Sequence, residues 1–104
     1  MPALALDYRA MVNDPADLEG NAQITPVSLS TTGANSAALS EGIYDVWCDV
    51  NCYIKVGDTP NDVTTSTGYL LVAGNVVPLI IRQGKKLGGV VSTGTGTLSA
   101  HRVR

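Results

Sequence analysis

From residue 24 to the end of the chain, short runs of apolar and polar residues alternate between turn-forming clusters. Residues 24–31 (ITPVSLST) alternate apolar and hydroxyl side chains, which is typical of a strand with one face in water. Pro26 has no amide proton to donate, so we expect this strand at the edge of a sheet. Six further segments have strand-like composition: residues 39–49, 52–56, 68–73, 76–82, 87–92 and 97–103.

Clusters of Gly, Pro, Asn and Asp separate these segments. Residues 57–62 (GDTPND) predict a turn, and residues 32–36 (TGANS) predict a loop. About seven strands at a spacing of about ten residues are the pattern of a β-sandwich or small barrel. We therefore expect an all-β fold: one β-sandwich of seven to eight strands in jelly-roll-like order. An immunoglobulin-like order is the alternative, because periodicity does not determine which strands pair.

The first 23 residues have a different character from the rest of the chain. They include apolar side chains that are unusual for a free tail: Leu4, Leu6, Tyr8, Met11 and Val12. We interpret residues 1–23 as an extended N-terminal arm that docks on its own domain or on a neighbouring subunit, and residues 24–104 as the sandwich domain. A disordered leader is the alternative.

Net charge and its distribution narrow the choice of partners. The chain has 104 residues, enough for one domain, and a net charge of −2, which argues against nucleic-acid binding. All nine acidic residues lie between Asp7 and Asp62, whereas five of the seven basic residues follow them. Either these charges mix on the folded surface, or the basic end of one molecule meets the acidic end of a neighbour.

Targeting signals and membrane spans are not expected. Residues 2–6 are too short for the apolar core of a secretory signal and run directly into Asp7. The longest apolar stretch, residues 76–81, is interrupted by Pro78 and is far shorter than a membrane span. These features predict synthesis in the cytoplasm and no membrane partner.

Residues that carry chemistry are few. The single histidine, His101, lies in the last predicted strand, and no G-x-S-x-G sequence is present, so we expect a surface residue and no catalytic site. Asp58, Asn61 and Asp62 are spaced unlike an EF-hand, and turn formation explains them without Ca²⁺. We expect no cofactor, no metal and no small-molecule substrate.

The two cysteines and the large aromatic side chains have a core interpretation and a functional one. Cys48 and Cys52 flank a three-residue turn, and we expect both thiols in the core. A disulfide formed after release into an oxidising medium is the alternative, and zinc would need two further ligands. Trp47 and Tyr69 are also expected in the core, with a sugar-binding platform as the alternative.

The order of predicted strands and glycines along the chain resembles that of a known class of proteins. Residues 39–57 (LSEGIYDVWCDVNCYIKVG) read as a strand, a short turn and a strand ending in Val-Gly. Pro60, residues 69–74 (YLLVAG), a basic strand and residues 96–103 (GTLSAHRV) follow. This order resembles small tailed-phage virion proteins, in particular the jelly-roll decoration or cement proteins that sit on capsids as trimers. The resemblance covers residues 39–103 and includes no signature residue.

The resemblance implies a structural protein of the capsid surface that is made in the host cytoplasm and that stabilises the phage head. Its partners would be copies of itself, as a homotrimer, and the major capsid protein. The residues expected to make these contacts come from the arm and from the basic segments: Leu4, Leu6, Tyr8, Met11, Arg82, Lys85, Lys86 and Arg102. The alternative function is a carbohydrate- or receptor-binding module of a phage tail or cell surface.

Overall fold

The computed structural model describes residues 23–104. Eight strands and one 3₁₀ turn follow one another along this part of the chain. They are β1 Val27–Leu29, β2 Ala34–Asn35, β3 Gly42–Cys48, β4 Cys52–Gly57, the 3₁₀ turn Pro60–Asp62, β5 Tyr69–Leu71, β6 Val77–Ile81, β7 Lys86–Val90 and β8 Gly96–Arg102.

The strands form two four-stranded antiparallel sheets. The first sheet has the order β1-β8-β3-β6 and the second has the order β2-β7-β4-β5. The pairs β1 with β8, β2 with β7, β3 with β6 and β4 with β5 are those of one long hairpin wrapped into two layers, which is a jelly roll. The predicted β-sandwich in jelly-roll order is confirmed. The immunoglobulin-like alternative is wrong, because that fold pairs its first strand with its second.

All seven predicted segments contain a strand, and one strand lies where a loop was expected. Ala34 and Asn35 form β2 within residues 32–36, and they pair with Gly89 and Gly88 of β7. Two residues are too few to show alternation, so the prediction of a loop throughout residues 32–36 is wrong. Pro26 directly precedes β1, which lies at the edge of the first sheet as expected.

The core lies between the sheets and is filled from alternate positions of the strands. In β8, Leu98 and Ala100 are completely buried, whereas the residues between and beside them are half-buried or exposed. Burial of a large aliphatic side chain contributes about 1.5–3 kcal/mol, so this inward face drives the sheets together. The largest fully buried side chains are Leu29, Ile43, Leu71, Ile81, Leu87, Leu98, Val46 and Val91.

The 3₁₀ turn covers part of the second sheet. Pro60 is buried, and a Cβ added at Gly88 of β7 would lie 2.6 Å from the Pro60 carbonyl oxygen. Lys55 pairs with Gly88 across β4 and β7, and its Nζ lies 2.9 Å from Asp62 Oδ1. The expected turn at residues 57–62 is thus packed against the sheet and held there by an ion pair.

Candidate interaction surface

The exposed large apolar side chains lie on two strands that end the sheets and on the segment that joins these strands. Among the residues that the structure describes, the exposed large apolar side chains are Tyr69, Leu70, Val72, Val76 and Ile80, which are 42–62% exposed. All five belong to β5, to β6 or to the segment that joins them. We call these five residues the apolar edge. Concentrated exposed apolar surface marks an interaction site more often than scattered apolar residues do.

The apolar edge lies where the two sheets end side by side. β5 is the last strand of the second sheet and β6 is the last strand of the first. β5 has only three residues, and β6 contains Pro78, features that limit pairing of an edge strand with another strand. Contacts at this surface therefore depend on side chains more than on exposed backbone groups.

A groove opens into the core between these two strands. It has a volume of about 210 Å³ and is lined by Ile54, Lys55, Val56, Tyr69 and Leu79. Val56 and Leu79 pack against the core and are only half-buried. The groove is therefore the place where the core of the sandwich reaches the surface, and an apolar group seated there would extend the core.

The segment between β5 and β6 is held in place by hydrogen bonds to the β3–β4 connection. The Ala73 amide donates to Asn51 Oδ1 at 2.9 Å, and the Gly74 amide donates to the Cys48 carbonyl at 3.1 Å. Gly74 has a φ of 83°, a conformation that glycine adopts without a steric penalty. The apolar edge is thus built on a fixed backbone, which lowers the entropic cost of binding.

The four basic residues expected to make contacts all lie at one end of the sandwich. Arg82 follows β6, and Lys85 and Lys86 lead into β7. Arg102 ends β8 and pairs with Tyr44, near the start of β3. Because Gly42 at the start of β3 pairs with Ile81 at the end of β6, the register places these residues at the same end. Arg82 and Arg102 are exposed.

Acidic side chains neutralise part of this basic end. Lys85 Nζ lies 2.7 Å from Asp58 Oδ1, and this hydrogen bond, reinforced by the lysine charge, lowers the pKa of Asp58 below its usual value. Both side chains are accessible to solvent, so the pair is weak. An acid from the first part of the sequence thus meets a base from the last part, which favours the interpretation that the charges mix in space.

The four apolar residues expected to make contacts, Leu4, Leu6, Tyr8 and Met11, lie outside the described residues. The arm assigned to residues 1–23 therefore remains a prediction. The described part begins at Gln23, which forms a β-bridge with His101.

The cysteines occupy the core, as the sequence predicted. Cys48 and Cys52 are completely buried and free. Burial, with a hydrogen bond to the Cys48 thiol as the next cause, raises the pKa of Cys52 to about 12. The Cys52 thiol is therefore protonated at neutral pH and does not act as a nucleophile there.

The remaining candidate residues do not form a reactive cluster in the described part of the chain. His101 is half-buried, and its Nδ1 lies 3.3 Å from Gln23 Oε1. Asp58 and Asp62 face lysines, and no group of three His, Cys, Asp or Glu side chains is arranged to hold a metal ion within residues 23–104. No helix in this part is long and apolar enough to cross a membrane.

The expectation that both large aromatic side chains lie in the core is wrong. Trp47 is half-buried on β3 and does not belong to the core cluster, and Tyr69 is 62% exposed at the mouth of the groove. Sequence analysis also missed the other residues of the apolar edge. The available signal was the segment YLLVAGNVVPLII at residues 69–81, which is apolar at adjacent positions and therefore exposes apolar side chains if its strands lie at an edge.

Comparison with known proteins gives no relative: no family model, no curated protein and no solved structure matches the chain.

Proposed function

We propose that this chain is a structural virion protein of a tailed phage, a decoration or cement protein that stabilises the phage head from the capsid surface. It is made in the host cytoplasm, assembles as a homotrimer and contacts the major capsid protein. The observation that carries the proposal is the apolar edge, an exposed apolar surface on a fixed backbone, because this type of surface serves contact between proteins.

The fold and the sequence pattern support this role in different ways. The jelly roll is the fold of many viral capsid proteins, but lectins and cupins have it too, so the fold alone does not identify the function. The order of strands and glycines in residues 39–103 resembles phage decoration proteins. Together they favour an assembly protein over an enzyme.

In such a protein, the apolar edge and the basic end would make contacts of different kinds. The apolar edge provides contacts that persist at high salt, because burial of apolar groups is not screened by ions. The basic end, with Arg82 and Arg102 exposed, provides contacts to acidic groups that weaken as salt is added. Cementing a shell requires contact area, about 1,200–2,000 Å² for a stable interface, and no chemical step.

Cosedimentation with phage heads tests the proposal. The heads are those of the virus that encodes the chain, purified without this protein, and they are mixed with increasing amounts of it. We expect saturable binding and a higher temperature of head disruption in the bound state. Absence of binding, or binding with no effect on head stability, would contradict a cementing role.

A second candidate function rests on Tyr69. An exposed aromatic ring beside a groove that also contains Lys55 resembles a site where a sugar ring stacks on an aromatic face and hydrogen-bonds to a polar group. A glycan array with the wild-type protein and with Tyr69→Ala tests this candidate. Binding that Tyr69→Ala abolishes would favour the carbohydrate- or receptor-binding module over the cement protein.

A further inference from the structure

Chain length, the place where the described chain begins and the apolar pattern of the first residues indicate what covers the apolar edge and its groove. We infer that residues 4–12 of a neighbouring copy seat on the apolar edge in the assembled protein. This inference rests on the proposed assembly role and names the contact that builds the oligomer. It assigns a function to the 22 residues that precede the described part of the chain.

The apolar chemistry of the segment matches that of the groove. Residues 4–12 (LALDYRAMV) place Leu4, Leu6 and Tyr8 at every second position. In an extended chain such residues point to one side, because successive side chains of a strand alternate. The groove presents Ile54, Val56 and Leu79 to whatever enters it, so an extended segment with three apolar side chains on one side would continue the core.

Charge does not oppose this pairing. Residues 4–12 contain one acidic and one basic residue, Asp7 and Arg9, so the segment that we place in the groove has no net charge. The groove is lined by apolar side chains and by Lys55, whose Nζ pairs with Asp62. The pairing therefore rests on apolar contacts.

The place where the described chain begins indicates that the occupant comes from a neighbour. The Ile24 amide donates to the Ala100 carbonyl of β8 at 3.1 Å, on the side of β8 that also pairs with β1. β1 and β6 are the opposite edges of the first sheet. To reach its own apolar edge, the segment would have to cross the outer face of that sheet, whereas the apolar edge of an adjacent copy placed beside β1 is reached directly.

The connection between the seated segment and the described chain is long enough to leave the domain. Residues 12 and 23 are 11 positions apart, which span up to about 36 Å when extended. A copy that offers its segment on one side and its apolar edge on the other makes a head-to-tail contact. Repetition of such a contact closes a ring when the rotation allows, and a trimer is one such ring.

Photo-crosslinking of full-length chains tests the inference. A photoreactive amino acid replaces Tyr69, and in a second protein it replaces Thr59, an exposed residue between β4 and the 3₁₀ turn that lies on neither β1 nor the apolar edge. Labelled (¹⁵N) and unlabelled chains are mixed unfolded, refolded together, irradiated and digested, and the crosslinked peptides are identified by mass spectrometry. We expect position 69 to crosslink to peptides from residues 1–12, including pairs of mixed label, and position 59 to give none of these pairs.

Any other crosslinking result overturns the inference. Pairs of a single label only, with no mixed pairs, at position 69 would show that each chain covers its own apolar edge. Crosslinks to other regions, or equal yields at positions 69 and 59, would assign a different occupant. If the protein is an oligomer but gives one of these contrary crosslinking results, the inference about residues 4–12 fails and the assembly role stands. If the protein is monomeric by light scattering, the assembly role fails as well.

A pair of variants gives an independent measurement without a bulky probe. Leu4→Ser with Leu6→Ser changes the side chains that we place in the groove, and Ala3→Ser with Ala5→Ser changes the positions between them. We expect the first pair to raise the dissociation constant of the oligomer at least about tenfold and the second to change it little. Circular dichroism checks that both fold, and equal affinities would overturn the inference.

Discussion

At Gly88 the packing of a turn against a sheet leaves no space for a side chain. An added Cβ would lie 2.6 Å from the Pro60 carbonyl oxygen and 2.8 Å from Pro60 Cβ. Both atoms belong to Pro60, the buried residue of the 3₁₀ turn, whose ring and backbone have little freedom to move. We expect Gly88→Ala to lower the free energy of unfolding by about 1–3 kcal/mol, as measured by urea denaturation.

Gly57→Ala is the matched control for that substitution. Gly57 ends β4, pairs with Lys86 of the same neighbouring strand β7, and has no atom within 4 Å of an added Cβ. We expect its effect on the free energy of unfolding to stay within about 0.5 kcal/mol. Equal effects of the two substitutions would show that the turn does not pack on Gly88 as described.

The buried thiol of Cys52 predicts a decline of stability in alkaline solution. Burial raises its pKa from 9.0 to about 12, so the folded protein binds the proton more tightly than the unfolded chain. Its contribution is fully present below pH 9 and is lost as pH rises from 9 towards 12. Burial also raises the pKa of Tyr44, which acts in the same direction.

Urea denaturation at pH 7 and pH 10 measures this effect. We expect the wild type to lose up to about 1.4 kcal/mol through Cys52 over this interval, and Cys52→Ala to lose correspondingly less. The Cys52→Ala protein is less stable than the wild type at pH 7, so the difference between the two pH values is the quantity compared. Identical losses in both proteins would contradict the assignment to Cys52.

Sequence predicted the burial of single residues where the residue type decides it. Cys48 and Cys52 are small and apolar, and both lie in the core as expected. Tyr69 was predicted in the core because large aromatic side chains are usually buried there, but β5 lies at an edge where the core opens. Its exposure depends on strand order, which the pattern around Tyr69 does not contain.

At the scale of elements, we expect substitutions in the apolar edge to affect association between subunits and to leave the folding of the subunit unchanged. Val76 is 56% exposed, so Val76→Lys removes little from the core. We expect a change of less than about 0.5 kcal/mol in the free energy of unfolding of the subunit. A buried interface would have to accommodate the new charge, so we expect the dissociation constant of the oligomer to rise at least about tenfold.

Thr59→Lys is the control, because Thr59 is exposed between β4 and the 3₁₀ turn and lies on neither β1 nor the apolar edge. Analytical ultracentrifugation across a range of protein concentrations compares the two variants. We expect Thr59→Lys to leave the dissociation constant close to that of the wild type. If both variants associate like the wild type, the apolar edge is not the interface.

Alternation and turn residues predicted seven of the eight strands, but they predicted neither β2 nor the strand order. β2 has two residues and exists because Gly88 and Gly89 of β7 offer a backbone partner far away in the sequence. The pairing of β1 with β8 likewise joins the two ends of the described chain. Local patterns record which segments are extended, whereas pairing depends on contacts over the whole length.

At the scale of the whole molecule, the fold brings together acidic and basic residues that are separated along the sequence. The wrapped hairpin brings Asp58 to Lys85, and Asp62 to Lys55. The basic residues that remain exposed, Arg82 and Arg102, lie at one end, and the apolar edge runs along one side. Order along the chain suggested a basic end only as the alternative to charges that mix on the surface, whereas the apolar edge depends on β5 and β6 both being last in their sheets.

The solution mass of the purified full-length chain, measured by light scattering at low salt and at 1 M salt, tests the central claim most directly. At 1 M salt the screening length is about 3 Å, so contacts between exposed charges are suppressed while apolar contacts persist. We predict a trimer, three times the chain mass of 10.8 kDa, at both salt concentrations. A monomer at both concentrations would contradict assembly, and a trimer that dissociates at 1 M salt would contradict assembly through the apolar edge.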